Sequence, residues 1–338
     1  MVNSLLCFTW AFLISIFAIP SIISVAHLKQ LLDEPNLRTV HMSLTPRLGG
    51  IAIFAGFASA ITIFGEFNIE IQQIMAGCII LFFIGLKDDI VTVSPFKKFF
   101  VQILAAGIVI FIGNIRITSF QGLMGIEELP NWFSYIFTYV LIIGITNAIN
   151  LIDGIDGLAG SVTILICTIF GFFFYYHGNY TSFAYANVAF CLAGAVFGFL
   201  RYNIRKAIIF MGDTGSLVCG YIIAILAIKF IELRTVNEAP ATALAILIIP
   251  VFDTLRVLIT RIINKKSPFF PDKNHIHHIF KSTGISTISV VALIVGINIL
   301  FFTIAISLQG TSNNIILCVI ISAAFVLSVA LEIIKRRK

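Results

Sequence analysis

The sequence predicts an all-α integral membrane protein, a single polytopic domain over residues 1–338 with about 10–11 transmembrane helices. Composition gives two reasons: 59% of the residues are hydrophobic and only 11% are charged, whereas about 25% are charged in soluble domains. A third reason is the alternation of long apolar runs with short polar breaks. Little of the chain is left for a domain outside the bilayer.

A helix that crosses a bilayer needs roughly 20 apolar residues, and eleven runs meet or approach this length. The predicted spans are residues 4–26, 48–65, 72–86, 97–112, 132–149, 159–176, 183–200, 214–232, 240–262, 286–307 and 313–334. The longest outer connection, 113–131, has room for a small hairpin or an interfacial segment.

Basic residues predict the orientation of these spans. All of the 22 Lys and Arg residues fall in alternate connections or in the C-terminal tail, except Arg116, Lys229 and Arg234. Because Lys and Arg collect on the cytoplasmic side of membrane proteins, we predict that the N-terminus lies outside and that the C-terminus is cytoplasmic. The net charge of +6 then reflects membrane orientation, not nucleic-acid binding.

The aspartates all fall on the predicted cytoplasmic face. A carboxylate at hydrocarbon depth is costly, so acids in or beside membrane helices indicate function. The orientation rule does not explain them, because acidic residues contribute little to it. They predict a polar site at the cytoplasmic surface for a divalent cation and phosphates. They are Asp33, Asp88, Asp89, Asp153, Asp156, Asp213, Asp253 and Asp272.

The first two cytoplasmic connections carry the motifs PRLGG at 46–50 and KDD at 87–89. Arg47 can hold a phosphate, or it is an ordinary arginine at a helix boundary. Asp88 and Asp89 repel each other, so a cation or a shared proton would stabilise the pair; a solvated helix end is the alternative. Lys97 or Lys98, at the start of the next helix, can reach a phosphate.

The third connection reads NAINLIDGIDG at 147–157. On a helix Asn150 and Asp153 share a face, with Asn147 one turn before; the two Asp-Gly steps then break or bend the helix. Carboxylate and amide oxygens at this spacing suit a hard cation such as Mg²⁺. Hydrogen bonding between helices would explain the asparagines, but not easily the two carboxylates, Asp153 and Asp156.

The fourth connection ends in FMGDTGS at 210–216, directly before an apolar run. Thr and Ser favour a helix N-terminus, which in turn favours anions, so Asp213 lies where a metal and a phosphate could meet. Soluble aspartic proteases also use Asp-Thr-Gly, but they need two copies in a β fold. A Gly-x-Gly-Asp intramembrane protease would need glycine in place of Phe210.

The fifth connection reads PDKNHIHH at 271–278, with histidines at 275, 277 and 278. Neutral imidazoles can ligate a transition metal, and protonated imidazoles can bind phosphate. The many carboxylates and the lack of a nearby thiolate favour phosphate over zinc. The six cysteines are scattered singly through apolar runs and have no metal-ligand spacing.

These five motifs occur in order over residues 46–278, and together they resemble the polyprenyl-phosphate N-acetylhexosamine-1-phosphate transferases of glycosyltransferase family 4. The fifth motif, PDKNHIHH at 271–278, is similar to the corresponding motif of the WecA/TagO branch. The MraY branch has a run of adjacent histidines there instead. The resemblance implies a bundle of ten or eleven transmembrane helices with its active site in cytoplasmic loops.

The resemblance also implies a reaction in the bacterial cytoplasmic membrane. An N-acetylhexosamine-1-phosphate, most simply GlcNAc-1-phosphate, passes from a UDP-sugar to undecaprenyl phosphate, and UMP is released. The lipid-linked sugar pyrophosphate initiates synthesis of a cell-envelope polysaccharide, such as lipopolysaccharide or teichoic acid. Implied partners are Mg²⁺, with Mn²⁺ as a substitute, the two substrates and membrane lipid, but no nucleic acid; a homodimer fits the family.

Roles for individual residues follow from the same resemblance. Asp213 would ligate Mg²⁺ with help from Asn150, and Asp88 or Asp89 would act as the base or, in an older view, as a covalent nucleophile. His275, His277 and His278 would contact the pyrophosphate or the developing transition state. The implied substrate-binding residues are Arg47, Lys97, Lys98, Asn147, Asp153 and Asp156.

An ion-coupled membrane transporter is the alternative from another class of protein. Transporters place ionisable groups near the bilayer midplane, on broken helices in two related halves. In this chain the acids collect at one predicted surface, and the sequence has no repeated halves. The residues therefore favour an enzyme.

Overall fold

The computed structural model of the protein describes residues 2–32, 45–178, 182–265, 267 and 274–336. Asp33 and Asp272 lie outside the described residues. The described chain is almost entirely helical. Its helices are α1 (Val2–Leu28), α2 (Gly49–Phe64), α3 (Ile69–Ile90), α4 (Pro95–Gly107, continued by the π-helical turn Ile108–Ile112), α5 (Asn131–Ile152), α6 (Leu158–His177), α7 (Phe183–Asn203), α8 (Gly212–Glu232), α9 (Ala239–Ile246), α10 (Ile248–Ile263), α11 (Ile276–Lys281), α12 (Thr287–Ser307) and α13 (Asn313–Arg336).

The predicted all-α, polytopic class is confirmed. Within the described ranges, nine helices are long and apolar enough to cross a membrane, and α9 and α10 together make a tenth candidate. Helix α2 is apolar but has only 16 residues. The span predicted at 72–86 is longer than expected, because α3 continues through the charged residues Lys87, Asp88 and Asp89 to its last residue, Ile90. The orientation stays a prediction.

Helix α8 is the central helix of the described bundle. It packs against α2, α3, α5, α6 and α7. Of the residues in its most apolar 18-residue stretch, 94% are buried. Outer helices such as α1 and α13 instead expose large apolar side chains, among them Phe17 and Phe325, as helices that face lipid do. Because α8 is enclosed on all sides, its first turn holds a fixed position relative to the neighbouring loops.

The span predicted at 240–262 is not one straight helix, since α9 and α10 meet at a bend of 76°. Pro250 has no N–H to donate to the carbonyl of Ile246, and its ring crowds that carbonyl, so the helix breaks just before it. Asn298 of α12 stabilises the break. Its Nδ2 donates to Ile246 O at 3.1 Å, and its Oδ1 accepts from Ile249 N at 3.4 Å.

The outer connection predicted at 113–131 contains a small hairpin, in which Ser119 and Glu128 form an antiparallel bridge. The hairpin is held to the C-terminal end of α8. Both the N–H and the hydroxyl of Thr118 donate to the Glu232 carboxylate at 2.7 Å. The polar residues described next lie at the opposite end of this helix.

Candidate active site

Asp88 and Asp89 are adjacent near the end of α3 but have different partners, because consecutive residues on a helix point about 100° apart. Asp88 accepts a hydrogen bond from Val93 N at 2.7 Å, and its other oxygen lies 3.2 Å from Lys98 Nζ. The turn between α3 and α4 therefore brings an ammonium group to this carboxylate. The repulsion expected for two neighbouring acids is offset by separate partners.

Asp89 caps the N-terminus of α8. Its oxygens accept the backbone N–H groups of Asp213 and Thr214 at 2.8 and 2.9 Å, and they also accept the Thr214 hydroxyl. The first N–H groups of a helix have no partner inside the helix, so an acid in this position stabilises it. Glycine permits the close approach: a Cβ on Gly50 or Gly85 would lie 2.6 Å from backbone atoms of Thr214.

Asp213, in the first turn of α8, joins residues from three of the predicted motifs. Its Oδ2 lies 2.8 Å from Lys98 Nζ, so the same ammonium group lies between Asp213 and Asp88. Its Oδ1 accepts a hydrogen bond from Asn150 Nδ2 at 3.0 Å. Asn150 also donates to Ser216 Oγ at 2.8 Å. Helices α3, α4, α5 and α8 therefore meet at one polar centre.

Asp153 and Asp156 lie in the turn after α5, where the two Asp-Gly steps end the helix as predicted. Asp156 is buried and accepts Ala207 N at 3.1 Å, which joins this turn to the segment before α8. The Asp153 carboxylate is half-buried and has no hydrogen bond or ion pair with any residue in the described ranges. Its burial and the negative charge of Asp213 raise the pKa of Asp153 to about 7.

The histidine segment, here residues 274–278, packs against this turn. His277 is buried, and its ring lies above Gly154, where a Cβ would be 2.3 Å from Nε2. The rings of His275 and His278 lie 5.7 and 4.3 Å from the ring of His277. His275 is also buried, and its Nδ1 lies 2.8 Å from an oxygen of Asp253. The third and fifth motifs are therefore in direct contact.

His277 is neutral at physiological pH, because burial, together with the nearby His278, lowers its pKa to about 3. An unfolded chain binds this proton below about pH 6.5, whereas the folded protein does not bind it until about pH 3. Folding stability therefore falls as the pH drops through this window, by roughly 1 kcal/mol for each unit.

We expect His277→Gln to lose less stability than the unchanged protein between pH 7 and pH 5. Thermal unfolding in detergent at pH 7, 6 and 5 measures this difference. His177→Gln, which changes a histidine in the last turn of α6, is the matched control. Parallel stability curves for the protein and His277→Gln would contradict the neutral, buried state of His277.

Three other predicted residues have different surroundings. Arg47 is exposed, and its positive charge acts on Asp153. Lys97 is exposed, and its ammonium group, unlike that of Lys98, has no hydrogen bond or ion pair with a described residue. Asn147 exchanges hydrogen bonds of 2.7 and 3.2 Å with Gln102, which matches the alternative of a contact between helices. Their contacts with substrate stay predictions.

The sequence placed Asp253 among the acids of the predicted polar site but gave no individual role to Asp253 or to Arg256, which lie in α10. Arg256 Nη2 donates to Asp253 Oδ1 at 2.8 Å. The sequence did contain a signal for their role. An Asp and an Arg three residues apart inside a predicted span can form an ion pair within the membrane, and such pairs indicate function.

The polar centre suits a hard cation that is held partly by protein oxygens and partly by the phosphates of a substrate. No three His, Cys, Asp or Glu side chains form a complete metal site within the described part of the chain. However, Mg²⁺ is usually held by one or two carboxylates and completes its shell with water and substrate phosphates. Asp88 and Asp213 already have one positive group, Lys98 Nζ, between them. The carboxylate oxygens of Asp88 and Asp213 are donors of the kind that fits Mg²⁺.

Comparison with known proteins identifies the class. The family model "Glycosyl transferase family 4" matches residues 71–231, a range that contains both acids of α3, the turn after α5 and the start of α8. Relatives extend the match over most of the chain. The chain belongs to glycosyl transferase family 4, as its motifs predict.

Three relatives place it among the WecA/TagO-like members. It is 34% identical over 304 residues to the probable undecaprenyl-phosphate N-acetylglucosaminyl 1-phosphate transferase of Bacillus subtilis, covering 89% of this chain and 83% of the relative. The undecaprenyl-phosphate alpha-N-acetylglucosaminyl 1-phosphate transferase of Escherichia coli O157:H7 is 31% identical, with coverage of 81% and 77%. The Salmonella typhi enzyme of that name is 31% identical, with coverage of 76% and 71%.

Proposed function

We propose that this protein transfers GlcNAc-1-phosphate from UDP-GlcNAc to undecaprenyl phosphate and releases UMP. The names of its relatives support this reaction. The structural observation that carries it is a polar centre beside an apolar cavity. A lipid acceptor needs both, because its phosphate reacts in a polar site while its chain stays in an apolar one. The transporter alternative has no support from the comparisons.

The cavity has a volume of about 340 Å³ and lies among α5, α8, α9, α10 and the outer hairpin. Its lining includes Ala148, next to Asn147, and Thr254, next to Asp253. The other lining residues are almost all aliphatic or aromatic. We propose that it takes part of the prenyl chain, while the acceptor phosphate reaches the polar centre.

The reaction forms a bond between an oxygen of the acceptor phosphate and the β-phosphorus of the UDP-sugar. The bond from that phosphorus to the bridging oxygen breaks, and UMP leaves with the electron pair. Both reactants are anionic, so positive groups must offset their charge. Lys98 is one cation placed for this role, because its ammonium group already lies between Asp88 and Asp213.

Among the two acids of α3, Asp88 is the better candidate for the base. Both oxygens of Asp89 accept hydrogen bonds from the first turn of α8, whereas Oδ2 of Asp88 accepts a hydrogen bond only from the Lys98 ammonium group. We propose that Asp88 takes the proton of the acceptor phosphate. Asp213 and Asn150 would hold Mg²⁺, and the bound ion would offset charge on the pyrophosphate.

A lipid-product assay tests the proposal. Purified protein is incubated in detergent with undecaprenyl phosphate, Mg²⁺ and radiolabelled UDP-GlcNAc, and both labelled lipid and free UMP are measured. We expect product that disappears with EDTA and returns with Mg²⁺ or Mn²⁺. Product that persists in EDTA would refute the metal. Product only from another UDP-N-acetylhexosamine would change the sugar, and no product from any such sugar would refute the reaction.

A glycine substitution tests the cavity. Gly144 lines it, and a Cβ there meets no atom within 4 Å, so Gly144→Phe would place a ring in the cavity without disturbing the backbone. Overfilling an apolar site costs about 1–3 kcal/mol. We therefore expect the KM for undecaprenyl phosphate to rise about tenfold, with the KM for UDP-GlcNAc unchanged.

Gly296→Phe is the matched control, because Gly296 lies on α12, outside the cavity lining, and an added Cβ there also meets nothing within 4 Å. We expect this control to leave both KM values unchanged. Equal effects of the two substitutions, or no effect of Gly144→Phe, would show that the acceptor chain binds elsewhere.

The setting of the reaction is also part of the proposal. We place the enzyme in the bacterial cytoplasmic membrane with its active site facing the cytoplasm, where its product would initiate synthesis of a cell-envelope polysaccharide. The collection of Lys and Arg in alternate connections supports this orientation. A homodimer stays a prediction.

A further inference from the structure

Asp253 is a fully buried carboxylate in α10, with an exposed fraction of 0%. Three donors satisfy it. Oδ1 accepts hydrogen bonds from Ile276 N at 2.9 Å and Arg256 Nη2 at 2.8 Å, and Oδ2 lies 2.8 Å from His275 Nδ1. Arg256 also donates to the carbonyl of Asn274. Residues 274–276, where the histidine segment starts, are therefore tied to α10 through side-chain, N–H and carbonyl groups.

These bonds determine which nitrogen of His275 is available. An ionised carboxylate can only accept hydrogen bonds, so His275 Nδ1 carries a hydrogen and points it at Asp253. In neutral imidazole, the other nitrogen is then a bare acceptor. When Nε2 takes a proton, the positive charge that develops on the ring faces the Asp253 carboxylate. Acid–histidine pairs in enzymes fix tautomer and ring orientation in this way.

A purely structural role is a weaker explanation of this carboxylate. Burying an ion pair costs desolvation free energy that its attraction often does not repay, and apolar replacements of similar volume are often as stable. Residues in the same helix, including Val251 and Leu255, use apolar contacts to line the cavity. A loop that needed only attachment to α10 could be held by similar contacts.

We propose that Asp253 is a positioning residue of the transfer reaction. It holds His275 with Nδ1–H toward α10 and with Nε2 available to the sugar-nucleotide pyrophosphate. Arg256 fixes the backbone of the same segment. The inference rests on the proposed function and adds to it a residue that acts through His275 and touches neither substrate.

The test compares Asp253→Asn, His275→Ala and the double variant in the lipid-product assay. We expect Asp253→Asn to lower kcat by about 10–100-fold, the usual loss when a partner that orients a functional histidine is removed. The KM values should stay within about twofold of normal, since catalysis changes rather than binding. The double variant should be no slower than His275→Ala alone, because Asp253 acts through His275.

Controls separate this result from loss of folding and from failure of the proposed function. Glu232→Gln removes another hydrogen-bonded carboxylate, at the far end of α8, and should leave kcat unchanged. Thermal unfolding reports whether each variant is folded. Activity of the unchanged protein tests the proposed function separately, since its absence concerns the reaction and not Asp253.

Two outcomes would overturn the role of Asp253. One is a folded Asp253→Asn variant with normal kcat. The other is a double variant whose loss is the product of the two single losses, which indicates a function independent of His275. Nitrogen-15 NMR of histidine-labelled protein gives a test that needs no folded Asp253 variant. The resonance lost in His275→Ala should report Nδ1–H with bare Nε2, and the reverse tautomer would refute the proposal.

Discussion

Replacing Asp213 with asparagine is expected to lower kcat by about 10³-fold, the upper range for loss of one preorganised charge-stabilising group in an active site. The substitution keeps the size of the side chain but removes the negative charge that attracts both Lys98 and a divalent cation. Asn150 would lose a charged acceptor as well. Steady-state lipid-product kinetics over a range of Mg²⁺ concentrations measure the effect. We expect the residual activity to require more Mg²⁺ than normal activity does.

Glu70→Gln is the matched control for this substitution. Glu70 is also a carboxylate in an ion pair, with Lys229 Nζ at 3.0 Å, but it lies in the first turn of α3, away from Asp88 and Asp89. We expect this control to keep its kcat and its Mg²⁺ dependence. An Asp213→Asn variant that is folded and retains more than about a tenth of normal kcat would refute a central role for Asp213.

The start of α8 explains why the predicted motifs come together. Each motif lies at a helix end or in a turn, and the buried first turn of α8 bonds to the end of α3 through Asp89 and to α5 through Asn150. The sequence predicted that Asp88, Asp89, Asn150 and Asp213 would share one face of the membrane. It could not assign their partners, because those depend on helix rotation and on close approach at positions such as Gly50.

The bend between α9 and α10 was not predictable from the apolar pattern, which continues through 240–262. Pro250 was the only local signal, and membrane helices tolerate proline when a neighbouring group satisfies the freed carbonyl. Here that group is Asn298, far along the chain. The break matters for the site because α10 lines the cavity and also carries Asp253. Sequence alone identified the histidines, but not the helix that holds them.

The contact between His277 and Gly154 leads to the second large effect. Gly154→Ala would place a Cβ 2.3 Å from His277 Nε2, closer than two such atoms can lie. The imidazole is buried and has little room to move away, so we expect the histidine segment to shift from the turn that carries Asp153 and Asp156. A displacement of about 1 Å at an active site can cost about 10²-fold in rate, and we expect kcat to fall by that amount.

A control substitution separates the clash with His277 from the general effect of adding a methyl group. Gly296→Ala is the matched control, because it adds the same methyl group to a helix where nothing lies within 4 Å, and we expect normal kinetics from it. Combining Gly154→Ala with His277→Ala removes the clashing ring. If the clash causes the loss, the double variant should be no slower than His277→Ala alone. A slower double variant would mean that Gly154 is needed for the backbone of the turn and not for the position of His277.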